Sequence, residues 1–341
     1  MKFRMRQSWR WLVALGAVFV PAVVSGALEL PFTFKAGGAI KASEVNANFD
    51  ALNGKLNALS GGIVAPVIGT ATIAGVLTDA PIRKFSQTID VPWTSGAAGP
   101  GAKPNLSAVV IERDSGEGTP AVELDLCQGK VLASASIVVG NLTVDLKQVT
   151  VLGVSRATPA SGPPQESISL SFTSVTYSWA ESNQPVVSTS YDVVKATGGA
   201  AGAQAFLFGH FPANVTPDAA YVPITAFEHD VACPAGSAGG GGCKAQHAPI
   251  AVTKGVGSEL LSALGLLFSG KAGSSATVDF FADETSISNS IELDGVLVTN
   301  VALSTDAGGA LTEKLSFGYQ TITWTAGNVS QGWDVAAGKA L

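Results

Sequence analysis

Two histidines and two cysteines lie symmetrically around a glycine-rich loop in the second half of the chain. Three residues separate His229 from Cys233 and Cys243 from His247, and nine residues separate the two cysteines. On two antiparallel strands, residues four apart share a face, so all four side chains could converge. Imidazole and thiolate are the ligands that Zn²⁺ favours in a tetrahedral site. The same two cysteines, which flank a flexible loop, could instead form a disulfide.

The N-terminus bears on this choice. Residues 1–26 have the pattern of a secretory signal peptide: a basic start, an apolar run over residues 11–24 and a small-residue cleavage site at residues 24–26. Pro21 interrupts the run, which is shorter than the ~20 residues that span a bilayer. We therefore predict a mature chain without a membrane span, located outside the cytoplasm, either in the periplasm or secreted to the exterior.

An oxidising compartment favours a disulfide between Cys233 and Cys243. Closing a loop of that size is worth roughly 2–3 kcal/mol in the chain-entropy model. The zinc site formed by His229, Cys233, Cys243 and His247 is the alternative. Cys127 follows an apolar run. A similar apolar run occurs later in the chain, where the equivalent residue is Phe268, so we expect Cys127 to be a buried, inert thiol.

Little else in the sequence suggests catalysis. The chain has three histidines, and it contains no nucleophile elbow, phosphate-binding loop or zinc-protease motif. Asp279, Asp283 and Glu284 could form an acid pair, but their position at the end of a strand favours a solvated turn. We predict that the protein is not an enzyme and carries no cofactor.

The composition indicates a turn-rich β-protein and argues against two classes of partner. Only 13% of the residues are charged, 46% are hydrophobic and 39 are glycine. The formal net charge is −6, and the basic residues of the signal sequence leave the mature chain more acidic still. An acidic chain that is poor in lysine and arginine is not expected to bind nucleic acid or anionic membranes.

Residues 30–62 have a different pattern from the rest of the chain. After Ser43 and Glu44, which favour the start of a helix, apolar residues step by four, three, four and three, as in a coiled coil. They are Val45, Phe49, Leu52, Leu56 and Leu59. Two heptads are too short to be stable alone, so the helix needs a partner, either another chain or its own domain. Residues 38–53 resemble a short stalk module of phage tail fibres and bacterial secreted proteins, and this resemblance implies a trimer.

A longer pattern occurs twice in the mature chain. Leu170-Ser171-Phe172 and Trp179 recur, with the same spacing, as Leu315-Ser316-Phe317 and Trp324, which is 145 residues further on. A repeat of this length is typical of a whole domain. Each copy is predicted to contain several strands and one short apolar helix that ends in Gly-Lys. We assign two tandem β-domains at residues 68–180 and 220–326, with a linker at 181–219 and a C-terminal tail at 327–341.

The order of motifs in each copy resembles the haemolysin-coregulated protein (Hcp) family, whose members form the tube of type VI secretion. The resemblance rests on Val252-Thr253-Lys254, on Gly270-Lys271 and on the strand from Glu166 to Phe172 that leads to Trp179. It implies that each domain is a small closed β-barrel with a helix on one side, and that barrels assemble as hexameric rings. The signal sequence, the duplication and the stalk depart from the family pattern.

Together these features predict a secreted, non-catalytic structural protein. If the stalk forms a trimer, three chains supply six barrels, enough for one pseudo-hexameric ring. The alternative is a monomeric extracytoplasmic binding module, which would use its glycine-rich loops to hold a glycan, a small molecule or a surface partner.

Overall fold

The computed structural model describes residues 65–95, 103–159, 162–199, 205–232, 245–306 and 308–341. Residues 64–341 form one compact unit. The predicted signal peptide, the stalk with Val45, Phe49, Leu52, Leu56 and Leu59, and the predicted disulfide partners Cys233 and Cys243 lie outside the described residues.

The unit is built mainly of strands, as predicted, with one short helix in each half. The first half contains β1 (Gly69–Ile73), β2 (Leu77–Ile82), β3 (Lys84–Asp90), β4 (Asn105–Leu106), β5 (Val109–Asp114), α1 (Thr119–Gln128), β6 (Val131–Val139), β7 (Leu142–Ala157), β8 (Gln165–Ser171), β9 (Ser174–Trp179), β10 (Val187–Asp192) and β11 (Thr197–Gly198). The second half contains β12 (Ala205–His210), β13 (Val222–Pro223), β14 (Ala226–Glu228), β15 (Val231–Ala232), β16 (Gln246–His247), β17 (Ile250–Gly255), α2 (Glu259–Ser269), β18 (Ser275–Phe281), β19 (Ile287–Asp294), β20 (Leu297–Thr305), β21 (Leu311–Gly318), β22 (Thr321–Ala326), β23 (Val329–Asp334) and β24 (Lys339–Ala340).

One sheet passes through both halves of the unit. Its strands run in the order β11-β10-β9-β7-β8-β5-β3-β20-β21-β17-β14, so strands of the first half continue directly into strands of the second. A second sheet has the order β13-β12-β18-β19-β22-β23-β24. Both helices end at a glycine in the left-handed conformation, Gly129 (φ 59°) and Gly270 (φ 63°), as the Gly-Lys pattern predicts.

Strand pairing shows which residues of the two repeats are equivalent. Ile168 of β8 pairs with Ile111 of β5, and Leu315 of β21 pairs with Val252 of β17. Leu315 is therefore the counterpart of Ile168, and the sequence alignment of Leu315 with Leu170 is shifted by two residues. A shift of two leaves every side chain on the same face of its strand, so the hydrophobic pattern alone could not reveal it.

The same correction applies to the aromatic residues of the next strand. Ser174 pairs with Lys147, and Thr321 pairs with Asp294. In each case the residue after the partner has a positive φ. Counting from these pairs, Trp324 occupies the place of Tyr177 rather than that of Trp179.

A third matching element follows in each repeat. Tyr191 pairs with Gly198 between β10 and β11, and Trp333 pairs with Ala340 between β23 and β24. The turns agree as well, because the carboxylates of Asp192 and Asp334 each accept a hydrogen bond from a backbone N–H three residues on. Each repeat thus continues into the segments that the sequence assigned to a linker and a tail.

Candidate assembly site between the repeats

The two repeats are joined first by their backbones. β3 of the first repeat pairs antiparallel with β20 of the second, with Ile89 opposite Val301. Beyond the paired strands, the Val91 amide donates to the Thr299 carbonyl at 2.8 Å, and the Phe85 amide donates to Thr305 Oγ1 at 3.2 Å. The backbone N–H and C=O groups at the sheet edge of one repeat are therefore hydrogen-bonded to those at the edge of the other.

A helix of the second repeat closes the apolar interior of the first. α2 contacts β9, β10 and β11 as well as β20 of its own repeat. The Phe268 ring stacks on Tyr191 with 4.9 Å between centroids and lies 6.1 Å from the ring of Tyr177. The backbones approach so closely that a Cβ at Gly199 would lie 2.5 Å from the Gly265 carbonyl oxygen. Tyr177 and Tyr191 are consequently buried.

The equivalent side of the second repeat is open. It forms an apolar groove of about 570 Å³ whose lining includes Phe280, Ile291, Trp324 and Gln331. Trp324 and Trp333 take the places of Tyr177 and Tyr191, but both remain half-buried because no helix covers them in the described chain. An apolar face that a helix covers in one repeat is therefore without a covering helix in the described part of the other.

In the first repeat, the face of α1 that corresponds to the buried face of α2 is exposed. Gly265 and Phe268 of α2 meet the first repeat, and Leu261 lies on the same helix face. The matching residues of α1 are Pro120, Leu124 and Cys127. Leu124 is 55% exposed. Cys127 is exposed too, so the prediction of a buried thiol is wrong. Its counterpart Phe268 is buried by the neighbouring repeat rather than by its own.

Each repeat also buries an ion pair at the same position, which the sequence analysis did not single out. In the first, Arg113 Nε lies 2.6 Å from Glu166 Oε1, and Arg113 also donates to Thr119. In the second, Lys254 contacts Glu313, and both side chains are fully buried. Burial raises the pKa of Glu313 to about 7, against the opposing effect of the Lys254 charge. The sequence did contain a signal for these ion pairs: both copies have a charged residue at the same position inside an otherwise apolar strand.

The two histidines of the predicted zinc or disulfide region do converge. His229 Nε2 lies 2.9 Å and His247 Nδ1 lies 3.2 Å from the hydroxyl oxygen of Tyr319. The hydroxyl has one proton and two lone pairs, so it can donate to one imidazole and accept from the other. Among the described residues, no group of three or more His, Cys, Asp or Glu is placed to hold a metal ion.

The environment of these histidines favours their neutral forms. Burial lowers the pKa of His247. Burial and then the charge of His247 lower the pKa of His229, while Asp230 acts in the opposite direction. A folded-state pKa below the ordinary value of 6.5 means that the unfolded chain binds protons first. The pair therefore stabilises the fold above about pH 6.5 and loses this contribution as the pH falls.

We expect acidification from pH 7.5 to 5.5 to lower the melting temperature of the wild-type chain more than that of His229→Gln/His247→Gln. The difference between the two pH profiles is the readout, because Glu313 contributes a trend of opposite sign. His210→Gln, which removes the third histidine away from this cluster, is the control and should retain the wild-type profile. Parallel profiles for wild type and the double variant would contradict the assignment.

The acidic residues considered for catalysis have separate structural roles. Asp279 accepts hydrogen bonds from the hydroxyls of Tyr221 and Ser290. Asp283 lies in an exposed turn, where it accepts from the amides of Thr285 and Ser286, and these hydrogen bonds lower its pKa. The arrangement is that of a turn, as the position of Asp283 and Glu284 in the sequence suggested. In the part of the chain that the structure describes, neither helix is long and apolar enough to cross a membrane.

Comparison with known families identifies the second repeat. Residues 217–326 match the family model described as "Type VI secretion system effector, Hcp". The second repeat is Hcp-like. The matched segment runs from just before β13 to the end of β22, and the strand pairing described above places the same arrangement in the first repeat. The Hcp-like segment therefore includes most of the lining of the open groove, although not Gln331, and the buried Lys254–Glu313 pair.

Solved structures similar to part of this chain carry related names. A type VI secretion system effector from Yersinia pestis is 22% identical, with 37% of this chain and 99% of that chain covered and a TM-score of 0.31. Hcp1 from Salmonella typhimurium is 17% identical over 37% and 95% of the two chains, with a TM-score of 0.32. The secreted protein Hcp3 from Pseudomonas aeruginosa is 13% identical over 32% and 98%, with a TM-score of 0.23. A comparison with curated protein sequences gives no match.

Proposed function

We propose that this protein is an exported, non-catalytic assembly protein in which each Hcp-like repeat acts as a barrel-shaped subunit. The observation that carries the proposal is the pairing of β3 with β20, which joins the two repeats edge to edge in one sheet. Repeats connected in this way act as neighbouring subunits of an assembly rather than as two independent domains joined by a linker.

Three chains fit this arrangement. The family resemblance implies rings of six barrels, and each chain supplies two. The heptad pattern at residues 30–62 is consistent with a trimeric stalk, and the predicted signal sequence supports a location outside the cytoplasm. A Cys233–Cys243 disulfide suits that compartment, with zinc held by these cysteines, His229 and His247 as the alternative.

The native mass of residues 27–341 tests the proposal. Light scattering on a single chromatographic peak should give the mass of three chains, and negative-stain images of that peak should show rings. A particle with the mass of one chain would contradict the assembly role. It would instead favour a monomeric binding module for a glycan, a small molecule or a surface partner.

The stalk gives a separate prediction. Replacing Phe49 or Leu52 with aspartate places a charge in the predicted apolar seam, so trimers at micromolar concentration should dissociate to monomers. Asn53→Asp introduces the same charge at a position outside the seam and should leave the mass unchanged. Equal behaviour of the two kinds of variant would contradict the role of the heptad residues.

A further inference from the structure

We propose that the open groove beside Trp324 is closed by α1 of a second copy of this chain. This inference rests on the proposed assembly and names the surfaces that would join one chain to the next. It follows from the contact already present inside the chain, where α2 closes the equivalent side of the first repeat.

The helix faces correspond position by position. α2 contacts the first repeat through Gly265 and Phe268. Leu261 lies on the same face of the helix, and both Leu261 and Phe268 are buried. α1 presents Pro120, Leu124 and Cys127 at the same positions, and all three are exposed. The exposed face of α1 in the first repeat therefore corresponds to the face of α2 that is already buried against a neighbouring repeat.

The strand edges correspond in the same way. Thr299 and Val301 of β20 are buried next to β3, whereas the matching residues of β7 are Leu152 and Val154, and Leu152 is 57% exposed. Beyond the part of β7 that pairs with β6, the described strands leave this edge of β7 without a partner. A strand from another copy can therefore extend the sheet at β7 as β3 does at β20.

Side-chain sizes are complementary across the proposed contact. Inside the chain, the large Phe268 of the helix stacks on Tyr191 of the receiving repeat. At the proposed contact, the smaller Cys127 replaces Phe268, and the larger Trp333 replaces Tyr191. A small residue opposite a large one keeps the total volume close to that of the internal contact, as efficient packing requires.

The resulting contact is heterologous, because α1 belongs to the first repeat and the groove belongs to the second. Each chain then offers one free helix face and one free groove, so copies join head to tail. Such contacts close into a ring or propagate as a filament, depending on the rotation between successive copies.

Chemical crosslinking tests the contact directly. Gln331 is exposed in the groove and pairs with Trp324, so Gln331→Cys places a thiol opposite Cys127 of the next copy. A short bis-maleimide linker should then produce covalent dimers and trimers on a denaturing gel. The same products should be lost in Gln331→Cys/Cys127→Ser. Val194→Cys is the matched control, because it adds an exposed thiol to the turn between β10 and β11 of the first repeat, whose apolar side α2 already covers.

Leu124→Asp provides a second arm that does not depend on crosslinking. Because Leu124 is exposed in the single chain, the variant should fold normally but give no rings in negative stain and at least tenfold less crosslinked product. A particle with the mass of three chains whose Gln331→Cys variant crosslinks no more than Val194→Cys would overturn this inference and leave the proposed function standing. A monomeric wild-type chain would overturn both.

Discussion

Lys254→Met is expected to lower the free energy of unfolding by about 3–5 kcal/mol at pH 8. The substitution leaves the Glu313 carboxylate, which is fully buried, without its cation. The loss should be smaller at pH 5. The pKa of Glu313 already lies at about 7, so the carboxyl group can take up a proton and become neutral when the cation is gone. Denaturant unfolding at the two pH values measures both effects.

The control is Lys254→Met/Glu313→Leu, which removes both fully buried charges. It leaves only the partly exposed Glu259, which also contacts Lys254, so most of the stability should be recovered. Glu313→Gln alone tests the pH trend of the wild-type chain. A raised folded-state pKa means that Glu313 favours the fold most below its ordinary pKa of 4.5, and that this contribution is lost as the pH rises through about 7. Glu313→Gln should flatten the profile in this window. A Lys254→Met variant as stable as wild type at pH 8 would show that the pair is not buried as described.

The second large effect is expected at the contact between the repeats. Phe268→Ala should lower the free energy of unfolding by about 3–5 kcal/mol, because it removes a buried ring that stacks on Tyr191 and leaves a cavity between the repeats. Thermal and denaturant unfolding of the purified chain measure this loss.

Cys127→Ala is the matched control, because Cys127 holds the same position on α1 but is exposed. In the unassembled chain it should change the free energy of unfolding by no more than about 0.5 kcal/mol. If the two variants had equal effects, the two helix faces would not differ in the way that the structure shows.

The sequence predicted the β-class, the duplication and the Hcp-like motif order, because each of these leaves a local pattern. The strand register was harder to predict from the sequence. Leu170-Ser171-Phe172 and Leu315-Ser316-Phe317 are identical in type, yet strand pairing makes Leu315 the counterpart of Ile168. Three identical residues in a row are a weaker guide to which positions of the two repeats are equivalent than the pairing of whole strands.

The contact between the repeats could not be predicted from local patterns. Cys127 and Phe268 occupy equivalent helix positions, but one is exposed and the other is covered by a segment distant in the chain. The convergence of His229 and His247 was predictable from their symmetrical spacing. Tyr319, which joins them, was not singled out because its role depends on a strand far along the chain.

The closure of the first repeat by α2 has a consequence for how the chain is made. Synthesis proceeds from the N-terminus, so the first repeat emerges while the helix that covers Tyr177 and Tyr191 is still missing. Until α2 follows, these rings are exposed to solvent and to other nascent chains, and a product cut between the repeats would keep them exposed. The first repeat therefore completes its folding only after the second has arrived, and a holdase chaperone would find its binding site on the earlier half of the chain.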